Sequence, residues 1–278
     1  ASKISTSGPR RTMFVSLKNG LSDLVTALRA RLEQQGMECR LGCRVEALRV
    51  RSHQPGRWMY DLILDDGSPL STESLVLATP AYVSADLLRP LTPIAGGLLE
   101  MIPYASTATI AMAYPAESVA GAVEGFGFIV PRIERRDLIA ATWTSLKWPH
   151  RAPDGKVLIR CYVGGVGREA ILQLDDAKLV ATVRAELSAL CGIMAEPSYV
   201  EVNRWWKAMP QYTLGHLHRL AQLEAALSRY PGLVLTGAGY RGVGIPDCIR
   251  DGALAADYIV RHLSNEPDPL RVRERTDA

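Results

Sequence analysis

The chain has 278 residues, 47% of them hydrophobic and 22% charged, with a formal net charge of +3. That length buries a sizeable core in one or two domains, and a charge so balanced argues against a nucleic-acid partner. No run reaches the roughly 18 apolar residues of a membrane span, and the polar, basic segment 1–12 lacks the apolar core of a signal peptide.

Five scattered cysteines, Cys39, Cys43, Cys161, Cys191 and Cys248, include no C-x-x-C pair. Reduced thiols in a cytoplasmic protein are therefore expected, with no metal site. In chain order the first signal is helical. Leu21, Leu24, Val25, Leu28 and Leu32 share one helical face over residues 21–35, with Ser22 or Asp23 as the cap and Gly36 as the stop. Residues 38–51 then read as a strand carrying Cys39 and Cys43. It turns at Pro55–Gly56 into a partner over 58–64, and a second turn follows at Asp66–Gly67. The apolar run 75–79, stopped by Pro80, suits a strand buried on both faces of an α/β sheet.

From about Met101 the texture changes. Runs at 107–114, 127–130, 138–144 and 157–163 alternate with turns and predict a largely antiparallel sheet. Residues 175–191 predict a helix with Leu179, Val183, Leu187 and Leu190 on one face; 199–206 read as a strand and 216–228 as a further helix. Trp205 and Trp206 are adjacent, so they point to opposite faces of that strand, one suited to a core and the other to a cavity. Arg132, Arg135 and Arg136 form a basic cluster that reads as a solvated loop.

The most distinctive stretch comes last. Gly237-Ala-Gly239-Tyr-Arg-Gly242 follows the apolar strand 233–236 and matches G-x-G-x-x-G. A dinucleotide fold needs another strand after the next helix, with an acidic residue at its end for the ribose. Here the helix, ending near Leu263, and a charged tail consume the remaining residues. The loop is therefore expected to meet a cofactor built mostly by other residues, or to be a plain strand-to-helix turn. Pro246 fits the first turn of the helix and Asp247 its positive end. Glycines at 242 and 244 admit a flat ligand close to the backbone. The helix N-terminus suits the negative charge of a reduced flavin or a phosphate. No G-x-S-x-G elbow or catalytic triad is present, and no side chain marks itself as a general base.

Four segments occur in an order that resembles a known family: Phe14-x-x-Leu-x-Asn-Gly-Leu-x-x-Leu, Val76-Leu-Ala-Thr-Pro80, Met209-Pro-Gln-Tyr-x-x-Gly-His216 and Gly239-Tyr-x-Gly-Val-Gly-Ile-Pro-Asp-Cys248. Over about residues 13–264 the chain is similar to the C-terminal half of the protoporphyrinogen/coproporphyrinogen oxidases, within the flavin amine-oxidase superfamily. The resemblance implies an α/β plus α+β architecture. Residues 13–98 and 214–264 would form the C-terminal portion of an FAD-binding domain, and 99–213 an inserted substrate-binding domain with a mixed, largely antiparallel sheet. Residues 1–12 and 265–278 would be flexible tails.

The same resemblance implies FAD contacts from Val45, Trp205, Val243, Gly244 and Ile245, and a porphyrinogen wall formed by Gly127, Ile129, Thr142, Tyr162 and Met209. The parent activity it implies is oxidation of protoporphyrinogen or coproporphyrinogen to the porphyrin in heme biosynthesis, in successive two-electron steps with O2 as acceptor. The family's first G-x-G-x-x-G unit, its membrane-contacting helical segment and its propionate-binding residues find no match before Phe14. This chain alone is therefore expected to bind FAD weakly or not at all and to be inactive without a missing N-terminal half. Its location is expected to be cytoplasmic or peripheral to a membrane. Another flavin amine oxidase or desaturase, and a cofactor-free scaffold, are the alternatives.

Overall fold

The computed structural model describes residues 15–54 and 57–264. The expected tails and the Pro55–Gly56 turn lie outside the described residues. Residues 15–43 form one unit and residues 44–264 a second. The first contains α1 (Ser22–Gln34). Neither Ser22 nor Asp23 caps it: Leu21 occupies the N-cap, with no side-chain cap hydrogen bond. Asp23 instead accepts a hydrogen bond from Asn19 Nδ2 at 3.1 Å. Gly36, at φ 91°, ends the helix as expected. The strand expected from residue 38 begins only at Val45, so Cys39 and Cys43 precede it; Gly42, at φ 68°, breaks the apolar alternation there.

In the second unit β1 (Val45–Gln54), β2 (Arg57–Leu64) and β3 (Pro69–Thr72) form an antiparallel sheet. Asp66–Gly67 makes the turn, with the Ser68 N–H donating to Asp66 Oδ1 at 2.8 Å. Next come β4 (Leu75–Leu77), α2 (Ala81–Leu88) and α3 (Pro93–Glu100). The two helices escape the periodicity because each is short and nearly uniformly apolar. Thr92 and Pro93 nonetheless mark the start of α3: the Thr92 hydroxyl accepts from Ala95 N–H at 3.4 Å. Gly96 lets α3 approach α2, since a Cβ there would stand 3.0 Å from the Arg89 backbone.

The middle of the chain builds β5 (Tyr104–Pro115), β6 (Gly127–Ile129), β7 (Leu138–Trp143), the short α4 (Thr144–Lys147), β8 (Lys156–Gly164), α5 (Asp176–Cys191) and β9 (Tyr199–Pro210). The strands form one antiparallel sheet in the order β6-β7-β8-β5-β9. Asp175 caps α5 through the Lys178 N–H at 2.8 Å, and Gly192 in the left-handed region ends it. Leu179, Val183 and Leu187 of α5 pack with Ile110, Met112 and Ile159, all fully buried. Each such side chain contributes about 1.5–3 kcal/mol by leaving water, so α5 covers one face of the sheet.

The chain then forms α6 (His216–Leu227), β10 (Leu233–Leu235) and α7 (Ile245–Leu263). β10 pairs parallel with β4, Leu233 opposite Leu75. A strand buried on both faces was expected at 75–79. Leu77 is in the core, but Val76 is 40% exposed, so this two-stranded sheet has an open face. A second core joins β1, β2, β4 and β10 to α2, α3 and α6 through Tyr60, Leu77, Leu88, Leu99, Leu223 and Leu235.

Candidate functional site

The glycine loop between β10 and α7 is held from two sides. On one side stands Asp251 of α7, 6% exposed. Its Oδ2 accepts from the Thr236 hydroxyl at 2.7 Å and the Gly237 N–H at 3.2 Å, and its Oδ1 from Arg241 Nη1 at 3.1 Å. The other arm of Arg241 donates to Glu224 of α6 at 2.5 Å. A buried carboxylate is costly unless its charge and lone pairs are met, and here the loop's own residues meet them.

On the other side stand Tyr212 and His216. The Tyr212 hydroxyl donates to the Ala238 carbonyl at 2.7 Å and accepts from the Gly242 N–H at 2.8 Å. Burial raises the pKa of this hydroxyl, which keeps it protonated and able to donate. The Tyr212 ring stacks on His216 with centroids 4.1 Å apart. His216 Nε2 lies 2.8 Å from the Tyr240 carbonyl. A carbonyl only accepts, so Nε2 carries the proton. The Pro210-Gln211-Tyr212 and Gly215-His216 segment and the glycine loop, distant in sequence, thus form one structure.

At its far end the loop enters α7, which starts at an N-cap glycine, Gly244, with no side-chain cap and Pro246 in its first turn. Val243 and Ile245 are 58% and 46% exposed. The sequence offered one reason for both nearby glycines, close approach of a ligand; the structure separates them. Gly242 has φ 145°, and a Cβ there would stand 2.4 Å from the Asp247 Cβ, so the loop's own packing requires it. Gly244 has an ordinary φ of −72°, and its Cβ position lies 3.1 Å from Asp247 Oδ2.

The remaining sequence-selected residues lie on the five-stranded sheet, apart from Val45. On the face away from α5, one cross-strand row runs Ile129, Ala140, Tyr162, Thr109, Asn203; the next runs Gly127, Thr142, Arg160, Ala111, Glu201. Directly opposed residues share a face, so Gly127, Ile129, Thr142 and Tyr162 are brought together there. A Cβ on Gly127 would stand 2.1 Å from the Ala141 carbonyl, so the strand pair itself demands that glycine.

Trp205 is opposite Thr107, and Met209 opposite Ala105. Between them β9 bulges at Lys207, whose φ is 44° and whose N–H donates to Ser106 Oγ at 3.0 Å. One tryptophan was expected in a core; instead Trp205 and Trp206 are 53% and 48% exposed. Val45 belongs to the separate β1-β2-β3 sheet, packed against the second core. Arg136 of the basic cluster pairs with Glu186 of α5 at 3.0 Å, so that cluster is partly structural rather than a solvated loop.

The model of the flavin containing amine oxidoreductases matches residues 3–260. The chain belongs to that family. The coproporphyrinogen III oxidase of Bacillus subtilis (strain 168) is 37% identical over 255 residues, covering 91% of this chain and 52% of that protein. The chloroplastic protoporphyrinogen oxidase of Oryza sativa subsp. japonica is 28% identical over 269 residues, covering 92% and 49%. A crystal structure of a candidate protoporphyrinogen oxidase from Exiguobacterium sp. 255-15 superposes with a TM-score of 0.77 at 32% identity, over 90% of this chain and 52% of that one. The chain spans about half the length of the curated relatives it matches.

For this flavin amine oxidoreductase chain, sequence reasoning found the loop but not what shapes it. Asp251 and Arg241 gave no signal, since charged residues in a helix and a loop read as solvated. Tyr104 gave none either, yet its hydroxyl accepts from the Ala81 N–H at 2.9 Å and stands where a Cβ on Gly239 would collide, at 2.7 Å.

Proposed function

We propose that this chain supplies the C-terminal half of an FAD-dependent oxidase that converts a porphyrinogen, coproporphyrinogen III or protoporphyrinogen IX, to the porphyrin with O2 as acceptor. The observation that carries the reading is the joint structure of the Tyr212–His216 segment and the glycine loop. Together they hold an uncapped helix start with exposed flanking residues. An uncapped N-terminus carries about half a positive charge on its free N–H groups, which fits the pyrimidine edge of a flavin.

In this reading Val243, Gly244 and Ile245 hold the isoalloxazine through backbone and apolar contact, Trp205 packs beside it, and Val45 serves the adenine end. The flavin, when bound, supplies the two-electron acceptance. The protein contributes placement. Tyr212 and Asp251 fix the loop before any ligand arrives, so little ordering cost remains on binding. Gly127, Ile129, Thr142, Tyr162 and Met209 form a wall for the macrocycle on the open sheet face.

In this reading the domains are 13–98 with 214–264 and 99–213; within residues 44–264 the two separate cores favour such a division, with Leu99 and Ile102 packed in the core of the first. Among the described residues no helix is long and apolar enough to cross a membrane.

The test mixes this chain with the N-terminal half of the Bacillus subtilis relative and adds FAD. The expected result is flavin absorbance that survives dialysis only in the mixture, together with oxygen consumption and porphyrin fluorescence on adding a porphyrinogen. A folded mixture that retains no flavin overturns the reading.

A further inference from the structure

The open face of the five-stranded sheet carries one residue that neither the motifs nor the wall reading uses. Arg160 lies at the centre of the second row, between Thr142 of β7 and Ala111 of β5. It is exposed on the face where β8 alternates away from the core, two residues from Tyr162. Arg160 makes no salt bridge or side-chain hydrogen bond among the described residues. Its cross-strand neighbours are small, Ala111 and Thr142, with Gly127 one strand beyond.

The anionic side of the same row is already committed. Glu201 accepts from Tyr199 Oη at 2.5 Å and Asn203 Nδ2 at 2.9 Å. The hydrogen bonds from Asn203 and then Tyr199, with the charge of Arg160 as a smaller contribution, lower its pKa. Glu201 and Arg160 are two strand spacings apart, roughly 10 Å, with Ala111 between them. The row is therefore polarised, a cation without a direct hydrogen-bond partner on the β8 side and a hydrogen-bonded carboxylate on the β9 side. A ligand carboxylate is drawn to the first and repelled from the second.

Resting on the wall reading above, we propose that Arg160 takes a peripheral carboxylate of the macrocycle and so selects a tetracarboxylate porphyrinogen over a dicarboxylate one. The geometry is direct. A ring lying on Ile129, Ala140, Tyr162 and Thr109 has its edge about one residue pair, roughly 7 Å, from the Arg160 Cα. A propionate arm and an arginine side chain close that gap. The planar guanidinium presents a carboxylate with paired donors. Coproporphyrinogen carries carboxylate arms where protoporphyrinogen carries vinyl groups. Arg160 discriminates between them by leaving a cation unpaired in the second case.

The experiment measures binding of two stable porphyrins, coproporphyrin III and the dicarboxylate mesoporphyrin IX, to the FAD-loaded mixture of this chain with the N-terminal half by fluorescence titration. Arg160→Gln is expected to weaken coproporphyrin III binding by about tenfold, the scale of one charge-assisted contact, and to leave mesoporphyrin IX unchanged. Glu201→Gln is expected to tighten coproporphyrin III by about two- to threefold, and added salt to weaken it. Both residues are exposed, and circular dichroism verifies that the variants fold.

Equal losses for both porphyrins, or none for either, with a clear loss in Tyr162→Ala, overturn the role of Arg160 and leave the wall standing. Binding insensitive to Tyr162→Ala, or no binding by the unaltered mixture that retains flavin, overturns the wall and this inference with it.

Discussion

The hydroxyl of Tyr212 lies 2.8 Å from the amide nitrogen of Gly242 and 2.7 Å from the carbonyl oxygen of Ala238. One side chain just beyond β9 therefore closes the loop that starts α7. Tyr212→Phe keeps the ring stacked on His216 but leaves the Gly242 N–H and the Ala238 carbonyl without this partner. A lost hydrogen bond of this kind costs about 1–2 kcal/mol, and Tyr212 is 43% exposed, so water replaces part of it. The expected outcome is a small drop in melting temperature and a larger drop in flavin retention in the reconstituted mixture, read by melting curves and flavin titration. Retention unchanged from the parent removes the clamp from the cofactor site.

The two glycines of the loop separate fold from function. Gly242→Ala places a Cβ 2.4 Å from the Asp247 Cβ at a φ of 145°, a conformation that L side chains rarely adopt. Its cost is expected to reach about 3 kcal/mol or more, seen as a lowered denaturation midpoint with or without flavin. Gly244→Ala keeps an allowed φ and meets only the end of the Asp247 side chain, at 3.1 Å. Its cost to stability is expected to be within about 1 kcal/mol, while flavin retention falls because the new methyl stands at the helix start. Equal effects of the two variants on stability contradict this division.

Much of the sheet was legible because alternation is a strong signal. The runs at 107–114 and 157–163 lie inside β5 and β8, β5 starting three residues earlier, and the leucine spacing of 175–191 became α5. The helices α2 and α3 were not legible. AYVSADLL and PIAGGLLE are too short and too evenly apolar for a moment to show, and the close contact of Gly96 with Arg89 is a tertiary one. The Cys39–Cys43 stretch misled in the opposite direction, being apolar enough for a strand but interrupted by a left-handed Gly42. In the site the glycine loop announced itself. The partners that shape it did not, because Asp251 and Tyr104 act through the fold's long-range contacts, which local spacing does not encode.

Tyr114 and Tyr240 make the fold sensitive to alkali. Burial pushes both hydroxyls up to about 12 from their ordinary value near 10. Between those values the unfolded chain gives up these protons while the folded chain keeps them. Stability from this source is therefore complete below about pH 10 and is lost as pH rises from about 10 to 12. Tyr240→Phe is expected to leave stability near pH 7 almost unchanged, because its hydroxyl holds Ser84 Oγ only at 3.5 Å. The same variant should soften the loss above pH 10. Urea midpoints taken at pH 7, 9, 10 and 11 test this, and parallel pH profiles for parent and variant would sink it.

Arg219 of α6 is 8% exposed, and its Nε and Nη1 are buried with no hydrogen-bond partner among the described residues. His216, one turn earlier on the same helix, has its Nδ1 in the same condition. A buried cation without compensation is destabilising, and an apolar replacement of similar length removes the penalty while keeping the packing of the stem. Arg219→Met is expected to stabilise the chain by about 1–3 kcal/mol, a rise of several degrees in melting temperature. Arg219→Lys keeps a charge but shortens its reach, and should lower stability relative to Met. The pair of variants measured in one buffer, with and without sulfate, decides the matter. A drop of several degrees for Arg219→Met, abolished sulfate stabilisation included, means that the guanidinium is paired with an anion in solution and that the charge is kept for that contact.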